Sequence, residues 1–368
     1  MNVTYDAQVF SFQEHGGISR YYCELLKQFS MMDGIDPSLI IEYSNSQYLP
    51  ELDFIHVRHF FPSHRFKGRN EIIKLLNRMH VRRSFHKLSH IDVFHPTYYD
   101  PYFLDLLDDI PFVLTIYDMS HELYPQLFSK FDFTAENKKE VSAKASRIIA
   151  ISEHTKKDIV TLLNIPVSKI DVIPLATTLF PSRMGDTALS LPHKYILYVG
   201  KRNTYKNFFF LLSAIKALSK MNIHCSLVCA GGGNLSAQEK KEINRLQLSD
   251  KIIQMAVNDN ILAHLYSKAQ ALVFPSLYEG FGIPVLEAFA CECPALLSNR
   301  SSLPEVGGDA ALYFDPESVP NLVERLAEVL ENNVLVDSMR INGLRRLKLF
   351  SWENTARKTI ETYRKVVG

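Results

Sequence analysis

The feature that most constrains the fold is a cycle. A short apolar run of strand length is followed by an amphipathic segment of helix length, and the pair recurs along the chain. Such alternation argues for an α/β protein with a mostly parallel sheet. Asn2–Asp6, Leu39–Tyr43, Val93–His95, Phe112–Tyr117 and Arg147–Ser152 read as strands of a first unit, with helices at Tyr21–Phe29 and Glu153–Leu163. The stretch Thr177–Pro192, rich in Pro, Ser, Gly and Thr, interrupts the pattern, and the cycle restarts at Tyr195–Val199. The expected organisation is a doubly wound, Rossmann-like domain over 1–178, a linker over 179–193, a second such domain over 194–350, and a terminal helix over 351–368 that returns to the first. Length agrees, because 368 residues at roughly 100–200 per domain make two domains.

Several classes are excluded early. Neither half carries G-x-G-x-x-G, which removes the main support for a dinucleotide oxidoreductase. With 41 Lys+Arg against 40 Asp+Glu the chain is not a basic nucleic-acid coat, and no nucleic-acid partner is expected. The most apolar run, Phe208–Ile215, is far short of the about 20 residues that span a bilayer. Five cysteines in an odd set point to a reducing, cytoplasmic compartment, and their spacings read as small buried hydrophobes and not as a metal site. No cofactor is expected.

Ligands of open parallel sheets bind where strands end, and four strand-end loops here are unusual. In Pro275-Ser-Leu-Tyr-Glu-Gly-Phe-Gly-Ile-Pro-Val-Leu-Glu287, two glycines permit a tight turn and Pro284 suits a helix start. This places Glu279 on the loop and Glu287 in the first helical turn, two carboxylates converging on one mouth to receive sugar hydroxyls. In Val199-Gly200-Lys-Arg202-Asn-Thr-Tyr-Lys206-Asn207, a glycine and cations before a helix N-terminus suit a diphosphate. The paired Gly16 and Gly17 lie between the first strand and helix, where backbone N–H groups can approach an anion or a sugar. The fourth strand ends in Tyr117-Asp118, where a strand-end Asp reads as a helix or turn cap.

The segment from Glu279 to Glu287 closely resembles the Glu-x7-Glu motif of the retaining group 1 glycosyltransferases, glycosyltransferase family 4. The fold this implies is GT-B, two Rossmann-like domains facing across a cleft. By resemblance Glu279 contacts the transferred sugar and Glu287 the nucleotide ribose, with Gly280, Phe281 and Gly282 in the donor site. The loop at Gly200 resembles the family element whose cations bind the donor diphosphate, here Arg202 and Lys206, with Lys201 as the substitute if the register differs. Gly16 and Gly17 match the N-domain glycine loop, with Arg20 nearby. Where many relatives have His-Asp this chain has Tyr117-Asp118, which leaves Asp118 or His95 to make the sugar contact. The partners implied are a nucleotide-diphospho-sugar donor and a saccharide or lipid-linked saccharide acceptor, with mannosyl- or rhamnosyl-type transfer in surface polysaccharide synthesis. No Asp-x-Asp pair ends a strand, so chelator-resistant activity is expected. The competing classes are another enzyme on this scaffold, such as an epimerase or a phosphorylase, and a catalytically silent sugar-nucleotide binder.

The near-zero net charge conceals a cluster. Arg65, Lys67, Arg69, Lys74, Arg78, Arg82, Arg83 and Lys87 accompany a single anion, Glu71. If Asn70–Leu88 is a helix, Ile72, Leu75, Leu76 and Met79 form one apolar stripe of the kind that faces a core. The cations then make either a solvated face or a docking surface for an anionic membrane on the inner side of the cytoplasmic membrane.

Overall fold

The computed structural model describes residues 1–64, 66–88, 90–181, 189–202 and 204–367. Arg65 and part of the expected linker lie outside them. The chain forms two compact units, Met1–Leu175 with Trp352–Gly368, and Ala176–Ser351. The first unit contains β1 (Asn2–Asp6), α1 (Gly17–Phe29), β2 (Asp36–Ile40), α2 (Arg69–Phe85), β3 (Val93–His95), β4 (Val113–Ile116), α3 (Ser120–Leu123), α4 (Thr134–Lys144), β5 (Arg147–Ala150), α5 (Glu153–Leu163) and β6 (Ile170–Val172). The second contains β7 (Tyr195–Val199), α6 (Phe208–Lys220), β8 (Ser226–Ala230), α7 (Ala237–Arg245), β9 (Ile252–Met255), α8 (Asp259–Lys268), β10 (Ala271–Phe274), α9 (Ile283–Ala290), β11 (Ala295–Ser298), α10 (Leu303–Gly307), β12 (Leu312–Phe314), α11 (Val319–Glu331) and α12 (Asn333–Leu347). The terminal helix α13 (Trp352–Val367) packs on the first unit.

Among the described residues all strand pairs are parallel. In the first unit they run β2-β1-β3 and β4-β5-β6, with a bridge from Phe94 in β3 to Phe112 just before β4. In the second they run β12-β11-β10-β7-β8-β9. Strands covered by helices on both faces must be apolar throughout, which is why β10 (ALVF) and β11 (ALLS) are buried at every position. Strand order reverses between β1 and β3 in the first unit and between β7 and β10 in the second, and crevices open at such points.

The helix α13 is fastened to the first unit through buried polar groups. The Tyr363 hydroxyl lies 2.6 Å from both the Tyr5 hydroxyl and His95 Nδ1. Thr355 donates to the Pro174 carbonyl at 2.8 Å.

The apolar stripe expected to face the core turns outward. On α2 the buried row is Arg69, Ile73, Asn77, Val81 and Phe85, whereas Ile72, Leu75 and Met79 are 41%, 58% and 40% exposed. A polar side chain decides the rotation. Asn77 Oδ1 accepts from the backbone N–H groups of Glu42 and Tyr43, and its Nδ2 donates to the Tyr43 carbonyl at 2.7 Å and to Ser11 Oγ at 2.9 Å. Leaving those backbone groups unpaired would cost more than exposing three apolar side chains at one edge. No helix among the described residues is long and apolar enough to cross a membrane.

Candidate active site

In the second unit the loops after β7 and β10 lie side by side because these strands are hydrogen-bonded neighbours, with Ala271 opposite Ile196 and Leu272 opposite Leu197. Leu277 N–H donates to the Tyr205 carbonyl at 2.8 Å, joining the two loops directly. Lys206 and Glu279, 73 residues apart, therefore meet: Lys206 Nζ lies 2.6 and 2.7 Å from the two Glu279 oxygens. The pair is largely shielded from solvent, and Lys206 Nζ also sits over the Tyr205 and Phe274 rings, 5.2 and 5.8 Å from their centroids. Helix α6 begins two residues beyond Lys206.

The Glu279 turn is held from both sides. Its N–H donates to Ser301 Oγ at 2.9 Å, and Ser302 Oγ donates to the carbonyls of Glu279 and Phe281. Gly282 has φ +107°, and a Cβ there would stand 2.9 Å from Leu303 Cδ2, so only glycine fits. Phe281 is buried, its ring edge-on to Phe350 at 5.9 Å, and anchors the turn that carries Gly280.

Two expectations change here. Arg202 is not presented as a free diphosphate clamp. Its Nε donates to Glu239 at 2.8 Å, and its terminal nitrogens donate to the carbonyls of Gly231, Gly232, Gly233 and Asn234. All three of those glycines have positive φ, and a Cβ on Gly232 would lie 2.3 Å from the Gly200 carbonyl oxygen. Arg202 thus braces the loop after β8 against the loop after β7, and the exposed cation beside Gly200 is Lys201. Glu287 is the fifth residue of α9, beyond its first turn, and is buried, with Oε2 accepting from the Tyr266 hydroxyl at 2.9 Å. The two carboxylates are therefore held apart in chemistry, one ion-paired and one bound to a phenol.

In the first unit Gly17 opens α1 and Gly16 is its N-cap, where the Gln13 side chain accepts from Ser19 N–H at 3.2 Å. Arg20 lies over the Tyr48 ring at 4.8 Å. The residues expected to replace the missing histidine have other tasks. His95 is fully buried, with Nδ1 on Tyr363 and Nε2 2.9 Å from Thr115 Oγ1, and burial holds its imidazole down at about 3. Tyr117 packs edge-on against Tyr21 at 5.7 Å and is buried. Asp118 closes the turn ahead of the next helix, its Oδ1 accepting from Ser120 N–H and Oγ. Burial would raise the Asp118 carboxyl, but the Lys138 ammonium and the Ser120 bonds outweigh it and hold the group below the usual range.

Asp6, which no sequence motif marks, clamps the reversal point of this sheet. It accepts from Thr97 N–H at 2.8 Å, Thr97 Oγ1 at 2.9 Å, Gln8 Nε2 at 2.8 Å and the Tyr102 hydroxyl at 3.0 Å. Burial nonetheless raises its carboxyl above the usual value. Its position at the end of β1 was the available signal. Among the described residues no three His, Cys, Asp or Glu side chains cluster as a metal site would require. The five cysteines are free and buried, and burial pushes the Cys225 thiol up to about 11.

This architecture has solved counterparts. A sucrose-phosphate synthase from Thermosynechococcus elongatus superimposes with TM-score 0.77 at 19% identity over 99% of this chain and 98% of that one. The fold is therefore that of the GT-B glycosyltransferases. Residues 15–178 match the family described as Glycosyltransferase Family 4, and residues 184–346 match Glycosyl transferases group 1. The chain belongs to this glycosyltransferase family. Among its relatives, O-antigen chain mannosyltransferase B of Escherichia coli is 26% identical over 374 residues, 95% of this chain and 96% of that protein. An N-acetylgalactosaminyltransferase of Campylobacter jejuni, named for an acceptor carried on diphospho-undecaprenol, is 26% identical over 59% of this chain and 60% of its own length.

Proposed function

We propose that the protein is a retaining, metal-independent mannosyltransferase that moves mannose from a nucleoside-diphosphate donor to a saccharide chain of a surface polysaccharide. The observation that carries the reading is the Lys206–Glu279 pair at the reversal point between β7 and β10. The name of the Escherichia coli relative supports mannose as the sugar. In this reading the donor diphosphate takes Lys206 from Glu279. Lys206, the exposed Lys201 and the N-terminal N–H groups of α6 then stabilise the negative charge that leaves with the nucleotide. Glu279, released, accepts hydrogen bonds from the hydroxyls of the transferred sugar, and Glu287 accepts from the ribose. The acceptor hydroxyl attacks on the face from which the diphosphate departs, a phosphate oxygen takes its proton, and the new glycosidic bond keeps the donor's anomeric configuration. The test is product NMR after incubation with GDP-, UDP- and ADP-sugars in EDTA. An α-mannoside formed from an α-linked donor is expected; a β-product, or no transfer until metal is restored, would overturn the reading.

We also infer that α2 rests on an anionic lipid surface. Its outward Ile72, Leu75 and Met79 are accompanied by the exposed Lys67, Lys74, Arg78, Arg82, Arg83 and Lys87. Arg69 leaves this set, because it is buried and paired with Glu14. Each basic residue near such a surface contributes roughly 1 kcal/mol. Sedimentation with phosphatidylglycerol vesicles at low salt, lost at high salt, is expected; equal sedimentation with neutral vesicles, or none at low salt, would refute it.

A further inference from the structure

In the second unit a fully buried phenol on α8 is aimed at a carboxylate on the neighbouring α9. The Tyr266 hydroxyl donates to Glu287 Oε2 at 2.9 Å, and the Pro284 carbonyl, one turn earlier on α9, lies 3.2 Å from the same oxygen. A phenol has one hydrogen to give, and a carboxylate is a stronger acceptor than a peptide carbonyl, so the bond to Glu287 governs. Burial and the adjacent Glu287 push the Tyr266 phenol well above its ordinary range, so it keeps its proton and remains a donor. Both ends of this bond are rigidly mounted. Asn258 caps α8 by accepting from Ile261 N–H at 2.9 Å. Tyr195 of β7 donates to the Leu265 carbonyl at 2.7 Å, which ties the end of α8 to the strand that leads into the Gly200 loop. On α9 the residues flanking Glu287, from Val285 to Ala290, are buried.

A glutamate on a helix can turn its carboxylate in several directions, because each torsion of its side chain has more than one staggered well. A carboxylate held at one oxygen by a donor on a rigid element loses that choice and presents a fixed orientation to a ligand. We propose that Tyr266 is a positioning residue for donor recognition: its hydroxyl sets the Glu287 carboxylate in the orientation that accepts from the ribose hydroxyls of the nucleotide. The inference rests on the reading of Glu287 as the ribose contact. Tyr266 acts through Glu287 and not on the reacting atoms, so its removal should show in donor affinity and not in the chemical step.

The test is calorimetry on the full chain. GDP, UDP and ADP are compared first, and the 2′- and 3′-deoxy forms of the tightest binder then serve as probes. The parent is expected to prefer the ribonucleotide over one of the deoxy forms by about tenfold, the worth of a hydrogen bond to a charged group. In Tyr266→Phe, which keeps the ring, that preference should fall below about threefold while the deoxy form binds as it does to the parent. In turnover the KM for the donor should rise with kcat changed by less than about threefold. An equal loss of ribo and deoxy binding would make Tyr266 a structural residue only, and an unchanged preference would equally overturn the proposal. Glu287→Gln should already lose the preference, and adding Tyr266→Phe to it should take nothing further; a further loss would show that the phenol acts by another route. This second comparison stands even where Tyr266→Phe alone is too unstable to purify, because the amide leaves no charge buried. Equal binding of ribo and deoxy probes by the parent would sink the ribose assignment and this inference with it, leaving the transferase reading in place. Binding of none of the three diphosphates would overturn the transferase reading itself.

Discussion

The two reversal points use the same geometry for opposite chemistry. Between β7 and β10 the chain places a lysine against a glutamate, a charged pair shielded by aromatic rings and next to a helix start. Between β1 and β3 the carboxylate Asp6 is turned inward to hold the loops together, and the space outside is lined by aromatic and neutral polar groups together with Glu71, Lys74, Arg78, Asp100 and Asp132. A parallel sheet supplies a crevice wherever its strand order reverses, but the side chains at the strand ends decide what chemistry that crevice presents.

The largest effect is expected where the charge is removed from the second crevice. Lys206→Ala is expected to lower kcat by about 10²–10³ while the melting temperature stays close to that of the parent, as loss of one preorganised donor does. Near-normal turnover would mean that the pair is structural. Arg202→Ala should behave in the reverse way, destabilising the fold by about 3 kcal/mol in urea unfolding because it leaves Glu239 buried without its partner. An Arg202 variant of full stability would return that side chain to the donor site.

In the first unit the next effect is one of pH. Burial lowers the folded pKa of His95 to about 3, against an ordinary value near 6.5. The unfolded chain therefore binds a proton that the folded one refuses, and stability is lost as pH falls from about 6.5 towards 3. From pH 7 to pH 5 this group costs about 2 kcal/mol. Comparing the parent with His95→Gln at both pH values isolates that difference; parallel pH dependences would show that the imidazole titrates freely and is open to solvent. The smallest effect is expected at Lys201: replacement by Ala should weaken nucleoside-diphosphate binding about tenfold with no loss of stability. Unchanged binding by calorimetry would remove Lys201 from the phosphate site.

Much of this was legible along the chain. The alternation of strand and helix periods marked both units, and the glycine-flanked turn from Pro275 to Pro284 marked the loop that carries Glu279. The residues whose packed partners are not evident along the chain share one cause. His95 ends a strand and Tyr117 and Asp118 follow one, so all three read as site residues, but α13 returns from the far end of the sequence to cover His95, and Lys138 arrives from α4 to support the Asp118 turn. Arg202 was read from its neighbours along the chain, whereas its partners lie about thirty residues away around the glycines after β8. The stripe on α2 was read from period alone, which finds an apolar face but not the hydrogen-bond demand of the strand edge that Asn77 answers.

By itself the sequence determined what local physics can settle: where strands and helices fall, which turns need glycine, and which family motif the Glu279 loop carries. Tertiary structure decided which polar side chains are available. A cation, an imidazole and a carboxylate look alike along the chain whether they face solvent or a buried partner, and only the packing of distant segments assigns the partner. That is why Lys206 and Glu279 emerge as a pair, Arg202 as a brace and His95 as core. It is also why the cavity at the reversal point of the first unit, assembled from separate stretches of chain, has no signature in any one of them.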